Sequence, residues 1–156
     1  MPQSLSNIAI HLTFSTNDRV RALAYPDLRA GVASYMAGIL KQMGCPAISV
    51  GVVIDHVHLL FLLSRTEALS RVVQVVKQQS SAWIKEQKAE LKDPYLVKFA
   101  WQKGYAAFSV SESILPRVKA YIANQEEHHK RITFQDEYRE FLTRHQVAFD
   151  ERYVWE

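Results

Sequence analysis

The sequence predicts an α+β fold, one antiparallel sheet of four strands combined with helices, and three observations carry that prediction. Apolar residues alternate over 8–14 and fill short runs at 47–54, 56–63 and 104–111, which is strand patterning. Between and after these runs they recur every three or four residues, which is helical patterning. The two kinds of segment follow the order β-α-β-β-α-β and then further helices.

Taken in order, "IAIHLTF" (8–14) alternates and reads as the first strand, with "STNDR" as the loop after it. Residues 26–43 place Leu28, Val32, Tyr35, Met36, Ile39, Leu40 and Met43 at helical spacing, with Pro26 suited to the first turn. "GCP" ends that helix. "AISVGVVI" and "HVHLLFLL" are the second and third strands, and the "DH" step at 55–56 leaves room only for a very tight turn or a bulged bend. From residue 67 to about 88, Leu69, Val72, Val73, Val76 and Trp83 predict the second helix, and "KDPYLV" predicts a loop. "GYAAFSVS" (104–111) is the fourth strand. A third helix is expected from near Ser113, with Pro116 in its first turn, through about His129. In "TFQDEYREFLTRH" Thr133 suits an N-cap and Asp136 the first turn of a fourth helix. Phe134, Phe141 and Leu142 flank Tyr138 at −4, +3 and +4 and mark it as a core tyrosine. The order is that of a split βαβ, the ferredoxin-like layout, with helices on one face of the sheet and C-terminal helices added. No repeat, low-complexity tract or linker divides residues 1–156, so one domain is expected.

Composition sets bounds on function. Apolar residues make up 48% and charged residues 22% of the 156, a globular balance that excludes disorder. No apolar run reaches the ~20 residues of a membrane span. The opening "MPQSLSNIAIHLTFSTNDR" has no basic segment leading into an apolar one, and the single Cys45 rules out an internal disulfide, so a reducing cytoplasm is expected. Nineteen basic against 16 acidic residues give a net +3, which permits a phosphate-bearing partner without establishing one. No G-x-x-x-x-G-K-[ST] motif is present.

The candidate chemistry begins at "IDHVHLLFLL" (54–63), where two histidines interrupt the most apolar segment. On a strand, His56 and His58 point the same way with Cα atoms roughly 7 Å apart, so both rings can converge on one atom. That suggests a metal. Spacing alone favours an exposed histidine face with no ligand role, since Val57, Leu59 and Phe61 supply a core contact from the other face. A structural zinc would want four Cys or His ligands, and Cys45 cannot complete such a set. Asp55 falls on the opposite face by alternation and reads as a turn residue or an outer partner of the pair. On the third helix, Tyr121 has Asn124 at +3, Gln125 at +4 and His128 at +7, polar groups where a core tyrosine would have apolar ones. None of the other tyrosines has a glutamine at +4. His128 and His129 diverge by about 100° on a continuous helix, which points them to solvent or to nucleic acid.

Together, "DHVHLLF", "WQKGYAAFSVS" and "YIANQEEHH" resemble the single-tyrosine HUH (His–hydrophobic–His) transposases of bacterial and archaeal insertion sequences. The resemblance runs from "HLTFSTNDR" (11–19) to "FDERYVW" (149–155). It implies that His56 and His58 are metal ligands with Val57 between them, that Tyr121 is the nucleophile, and that Gln125 is the third ligand. It further implies Mg²⁺ or Mn²⁺ as cofactor, single-stranded DNA with hairpin ends as partner, and a homodimer with active sites shared between chains. The implied reaction cuts the strand to leave a 5′-phosphotyrosine and a free 3′-OH, which later rejoins strands.

The residue types suit that reaction. A phenol of pKa near 10 is a weak nucleophile unless its anion is favoured, which a divalent cation does while polarising a phosphate oxygen. Exchanging one phosphodiester for another conserves bond energy, consistent with the missing ATP motif. Arg19, Arg21, Arg65, Arg71 and Lys77 are candidate phosphate contacts that carry no sequence information. Trp101, Tyr105 and Phe108 offer faces for base stacking, although Trp101 and Phe108 read better as core. The alternative class is a hairpin DNA- or RNA-binding module, such as a domesticated regulator of the same fold that binds without cutting. The intact set of His56, His58, Tyr121 and Gln125 argues against it.

Overall fold

A computed structural model describes residues 2–87 and 92–156. Its elements are β1 (Ala9–Ser15), α1 (Pro26–Gln42), β2 (Ala47–Val52), β3 (His56–Leu62), α2 (Leu69–Glu86), α3 (Pro94–Val97), β4 (Ala106–Val110), α4 (Leu115–Ala123), α5 (Gln125–His128) and α6 (Phe134–Arg144). The four strands form one sheet in the order β2-β3-β1-β4, every neighbouring pair antiparallel. This is the α+β, split-βαβ arrangement that the alternating and helical segments predict.

Strand alternation divides the residues between two layers. Ile10, Leu12 and Phe14 of β1 lie opposite Phe61, Leu59 and Val57 of β3, and all six join the buried residues of α1 and α2 in the main core. α1 contributes Leu28, Val32, Met36, Ile39 and Leu40, and α2 contributes Val72, Val73, Val76 and Ile84. Pro26 occupies the first turn of α1, where its missing N–H costs no hydrogen bond. The other face carries His11, Thr13 and Ser15 of β1 opposite Leu60, His58 and His56 of β3, with Phe108 opposite His11 on β4. The C-terminal segment covers this face. Phe134, Tyr138, Phe141 and Leu142 of α6 pack with Ala106 and Phe108 in a second, smaller core. Tyr138 is a core residue, as its stripe predicts.

Two local readings are corrected. "KDPYLV" is not wholly loop, because Pro94–Val97 forms one helical turn started by Pro94, whose fixed φ suits a first turn. The helix expected to run unbroken to His129 is interrupted at Asn124, whose φ of −102° and ψ of 21° leave the helical region. Its amide is shared between the carbonyls of Ala120 and Tyr121, closing α4 before α5 restarts at Gln125. The second helix ends at Glu86, and residue 88, its expected limit, lies outside the described residues. Thr133 does cap α6, its hydroxyl accepting from the Asp136 amide at 3.2 Å.

One glycine sets how closely the covering layer approaches. Gly51 of β2 sits opposite His58, and a Cβ built on it would lie 2.9 Å from Ile122 Cγ2 and 2.9 Å from the Ile122 carbonyl oxygen. Its missing side chain lets α4, with Tyr121, sit directly on the sheet.

Candidate metal and tyrosine centre

The register places the histidine pair under the C-terminal helices. His58 stands opposite Thr13 and His56 opposite Ser15, and both rings are buried, 0% and 1% exposed. Burial removes the exposed-face reading of the pair. His56 Nδ1 lies 2.7 Å from Asp55 Oδ1, and its Nε2 lies 2.9 Å from His129 Nε2. His58 Nδ1 lies 2.8 Å from His11 Nε2, and its Nε2 lies 2.8 Å from Glu137 Oε1. Asp55 is thus the outer partner of His56. It reaches the ring from the turn, where strand alternation no longer constrains it.

Tyr121 stands beside the pair, its ring centroid 6.0 Å from that of His58. Its hydroxyl donates to Glu137 Oε2 and lies 3.0 Å from His128 Nε2. Gln125 is buried, its Nε2 donating to the Tyr121 carbonyl at 3.1 Å and its Oε1 lying 2.8 Å from His129 Nε2. One chain therefore brings His56, His58, Tyr121 and Gln125 together.

His128 and His129 correct the expectation that they face solvent or nucleic acid. Both turn inward: His128 Nε2 is 3.1 Å and His129 Nε2 3.2 Å from Glu137 Oε2. Both histidines follow the interruption at Asn124, and the Glu137 carboxylate stands where the two rings meet. Glu137, His129 and His11 are the residues that sequence reasoning missed. The signal for Glu137 was its place in α6, three after Phe134 and four before Phe141, which puts a carboxylate on the buried stripe. The signal for His11 was its place in β1, two residues from Thr13 on the face opposite Leu12.

Burial and charge set the protonation of the cluster. Burial, with the neighbouring His58, drives His11 down to about 3. Burial likewise drives His56 down to about 4, with Asp55 opposing it. Both rings are neutral at physiological pH, with ring nitrogens available to a ligand. Burial alone would raise Glu137, but hydrogen bonds from His129 and His58 outweigh it and hold the carboxyl far below its ordinary range. Tyr121 is pushed above the ordinary phenol value by burial and by the Glu137 charge. His129 is raised, the Glu137 contact overcoming the effect of burial.

Four of these residues are suited to an ion. One donor atom each from His56, His58, His129 and Glu137 lie within 4.8 Å of one another, so the cluster could hold a divalent metal. The donor chemistry fits such an ion, because imidazole nitrogens and a carboxylate oxygen are ordinary divalent-metal donors and the Glu137 carboxyl is held ionised. Imidazole-rich sets suit manganese and later metals better than magnesium.

The basic candidates are scattered. Arg21 is exposed and borders, with Arg29, His129 and Lys130, a hollow beside the cluster. Arg19 is half-buried, its guanidinium 5.8 Å from the Trp155 ring. Arg65 and Arg71 are exposed, Arg65 beyond the end of β3 remote from His56 and Arg71 on the helix layer behind the sheet. Lys77 donates to the carbonyls of Gln102, Lys103 and Gly104 at 2.8, 3.2 and 2.6 Å. Burial lowers its ammonium to about 8. Trp101 and Phe108 are both buried, as the core reading expects, while Tyr105 remains exposed.

The chain is thus an α+β protein with a ferredoxin-like sheet, on which a buried histidine–carboxylate cluster that could hold a divalent metal lies beside a helix-borne tyrosine. Residues 4–125 match the family described as "Transposase IS200 like", and the chain belongs to that family. It is 26% identical over 115 residues to the ISDra2 transposase TnpA of Deinococcus radiodurans, covering 74% of this chain and 81% of that protein. Among solved structures it resembles a Deinococcus radiodurans R1 chain classed as a transposase, with TM-score 0.63 and 24% identity over 80% of this chain and 95% of that one. It also resembles a REP-associated tyrosine transposase bound to a REP hairpin, with TM-score 0.56 and 12% identity over 85% of this chain and 74% of that one. At these identities the two structures speak for the fold. His129 and Glu137 lie beyond the family match. No helix among the described residues is long and apolar enough to cross a membrane.

Proposed function

We propose that this IS200-like transposase cuts and rejoins single-stranded DNA at hairpin-bearing ends, with Tyr121 as the nucleophile. The observation that carries the reading is the Tyr121 hydroxyl on the rim of a buried cluster that holds His56 and His58. The Tyr121 oxygen attacks the scissile phosphorus, forming a 5′-phosphotyrosine as the bond to the 3′ oxygen breaks. The released 3′-OH later attacks such a phosphotyrosine, restoring a phosphodiester and the free phenol. His56, His58 and Gln125 would hold a divalent ion, Mn²⁺ or Mg²⁺. When bound, that ion withdraws charge from a phosphate oxygen and favours the phenolate.

The chain's own groups position the reactants. Glu137 and His128 fix the Tyr121 hydroxyl from two sides, which keeps its oxygen in one place before substrate arrives. Asp55 and His11 hold the two histidine rings in orientation. Burial and the Glu137 charge both favour the protonated phenol in the free protein, so a cation beside Tyr121 would help its proton leave. Arg19, Arg21, Arg65, Arg71 and Lys77 are the proposed phosphate contacts, of which Arg21 lies nearest the cluster. The protein acts in the cytoplasm as a homodimer, in which the helix bearing Tyr121 serves its own or the partner's histidines. The REP hairpin seen on one structural relative supports a hairpin partner.

The test is a cleavage assay on labelled single-stranded hairpins with Mn²⁺, resolving the fragment with a free 3′-OH. His56→Ala and His58→Ala should abolish the product and keep hairpin binding in a gel shift. Equal loss of binding would make the pair structural and refute the assignment.

A further inference from the structure

We propose that His129 and Glu137 are metal ligands, so that the centre is built from three histidines and a carboxylate. The inference rests on the metal-dependent reading above and names ligands outside the matched segment. It begins with how the rings are held. Each of the three histidines has its Nδ1 engaged from outside the cluster: His56 by Asp55 at 2.7 Å, His58 by His11 at 2.8 Å, His129 by the Ile132 carbonyl at 3.0 Å. Each consequently turns Nε2 toward a common centre. Anchoring one ring nitrogen while presenting the other is how ligating histidines are oriented.

The Nε2 atoms converge on the carboxylate. Glu137 Oε1 is 2.8 Å from His58 Nε2 and 3.7 Å from His56 Nε2, and Oε2 is 3.2 Å from His129 Nε2. His56 and His129 bring their Nε2 atoms within 2.9 Å of each other. Two ring nitrogens so close, with a carboxylate beside both, are the spacing of atoms that share an ion. Glu137 is only 1% exposed, and no lysine or arginine pairs with it among the described residues. A carboxylate buried this deeply favours positive charge beside it, and a divalent ion seated among these donor atoms supplies it.

The carboxylate also links the ion to the nucleophile. Oε2 accepts the Tyr121 hydroxyl, so the group that would ligate the ion also sets the position of the phenol. Gln125 borders the same volume, with Oε1 2.8 Å from His129 Nε2. Three imidazoles and one carboxylate make a site that takes Mn²⁺ well ahead of Mg²⁺.

The experiment titrates metal-free full-length protein with Mn²⁺ by calorimetry and needs no DNA. Glu137→Gln and His129→Ala should each weaken Mn²⁺ at least ~10-fold, since even the outer partners of ligands are worth that much. Glu140→Gln, an exposed carboxylate on the same helix, should change nothing. Unchanged affinity in Glu137→Gln and His129→Ala, with loss in His56→Ala, overturns the added ligands and leaves the histidine-pair reading standing. No Mn²⁺ binding by the wild type, or binding untouched by His56→Ala, overturns both. A second measurement does not depend on variants folding: electron spin echo of the wild-type Mn²⁺ complex should count three coupled imidazoles. A count of two overturns the proposal.

Discussion

Gly51→Ala tests whether the position of Tyr121 depends on the close seating of α4. The added methyl would meet Ile122 Cγ2 and the Ile122 carbonyl oxygen, each at 2.9 Å, with Gln125 Cγ at 3.5 Å. Carbon–carbon contacts prefer about 3.5–4.0 Å, so α4 must retreat by roughly 0.5–1 Å. The blocking carbonyl belongs to the backbone, and a rotamer change cannot clear it. Overpacking of this kind costs about 1–3 kcal/mol. At about 2–4 °C per kcal/mol for a chain of this size, a cost near 2 kcal/mol lowers Tm by about 4–8 °C. Since Tyr121 adjoins Ile122 on α4, the retreat should slow cleavage more than stability alone accounts for; a 1 Å misplacement can cost ~100-fold. Scanning calorimetry and single-turnover cleavage would be read side by side. Gly38→Ala is the control: it lies in α1 with nothing within 4 Å, and should be neutral or stabilise by about 0.5–1 kcal/mol. If Gly51→Ala matched Gly38→Ala in both Tm and rate, the argument for close seating would be wrong.

Stability should fall as pH drops from about 6.5 toward 4. His11 and His56 have folded values lowered to about 3 and about 4, so across that window the unfolded chain binds protons that the native chain does not. Glu137, also lowered, adds to the loss below the ordinary carboxylate range, whereas the raised His129 contributes stability that is lost as pH rises through its folded value. Urea midpoints that are equal at pH 7 and pH 5 would contradict this. Lys77→Met should lower Tm by removing the donor shared by the carbonyls of Gln102, Lys103 and Gly104, with a loss of about 1–3 kcal/mol; a neutral result in thermal denaturation would show that those carbonyls are satisfied by water. For the proposed dimer, mixing His56→Ala with Tyr121→Phe distinguishes shared from self-contained sites. Cleavage restored in verified heterodimers, with DNA attached to the His56→Ala chain, means sharing; silence beside an active wild type means each site is built within one chain.

Much of the architecture was legible because period and order do not depend on distant contacts. The alternation of "IAIHLTF" and the spacing of Leu28, Val32 and Met36 each follow from one element burying one face. His56 and His58 were legible for the same reason, since any strand puts residues two apart on one side. Tyr121 and Gln125 stood out because polar neighbours on a helix face are unusual around a core tyrosine. His129 and Glu137 were not. The inward contacts of His129 are with His56, Gln125 and Glu137 from three separate elements, for which a helical periodicity gives no sign. Glu137 sat on a stripe in plain view, yet its burial makes sense only once His58, His129 and Tyr121 are known to surround it. Local pattern reports which face is buried, while the partners across that face come from tertiary packing.

The central claim, that Tyr121 beside the histidine cluster attacks single-stranded DNA, is tested most directly by locating the covalent bond. Wild-type protein, Mn²⁺ and a cleavable hairpin strand would be quenched in denaturant, digested and sequenced by mass spectrometry. The account predicts a nucleotide linked to the oxygen of Tyr121, absent in Tyr121→Phe and retained in Tyr105→Phe and Tyr138→Phe. A nucleotide found on any other tyrosine, or cleavage by Tyr121→Phe at the wild-type rate, would contradict it.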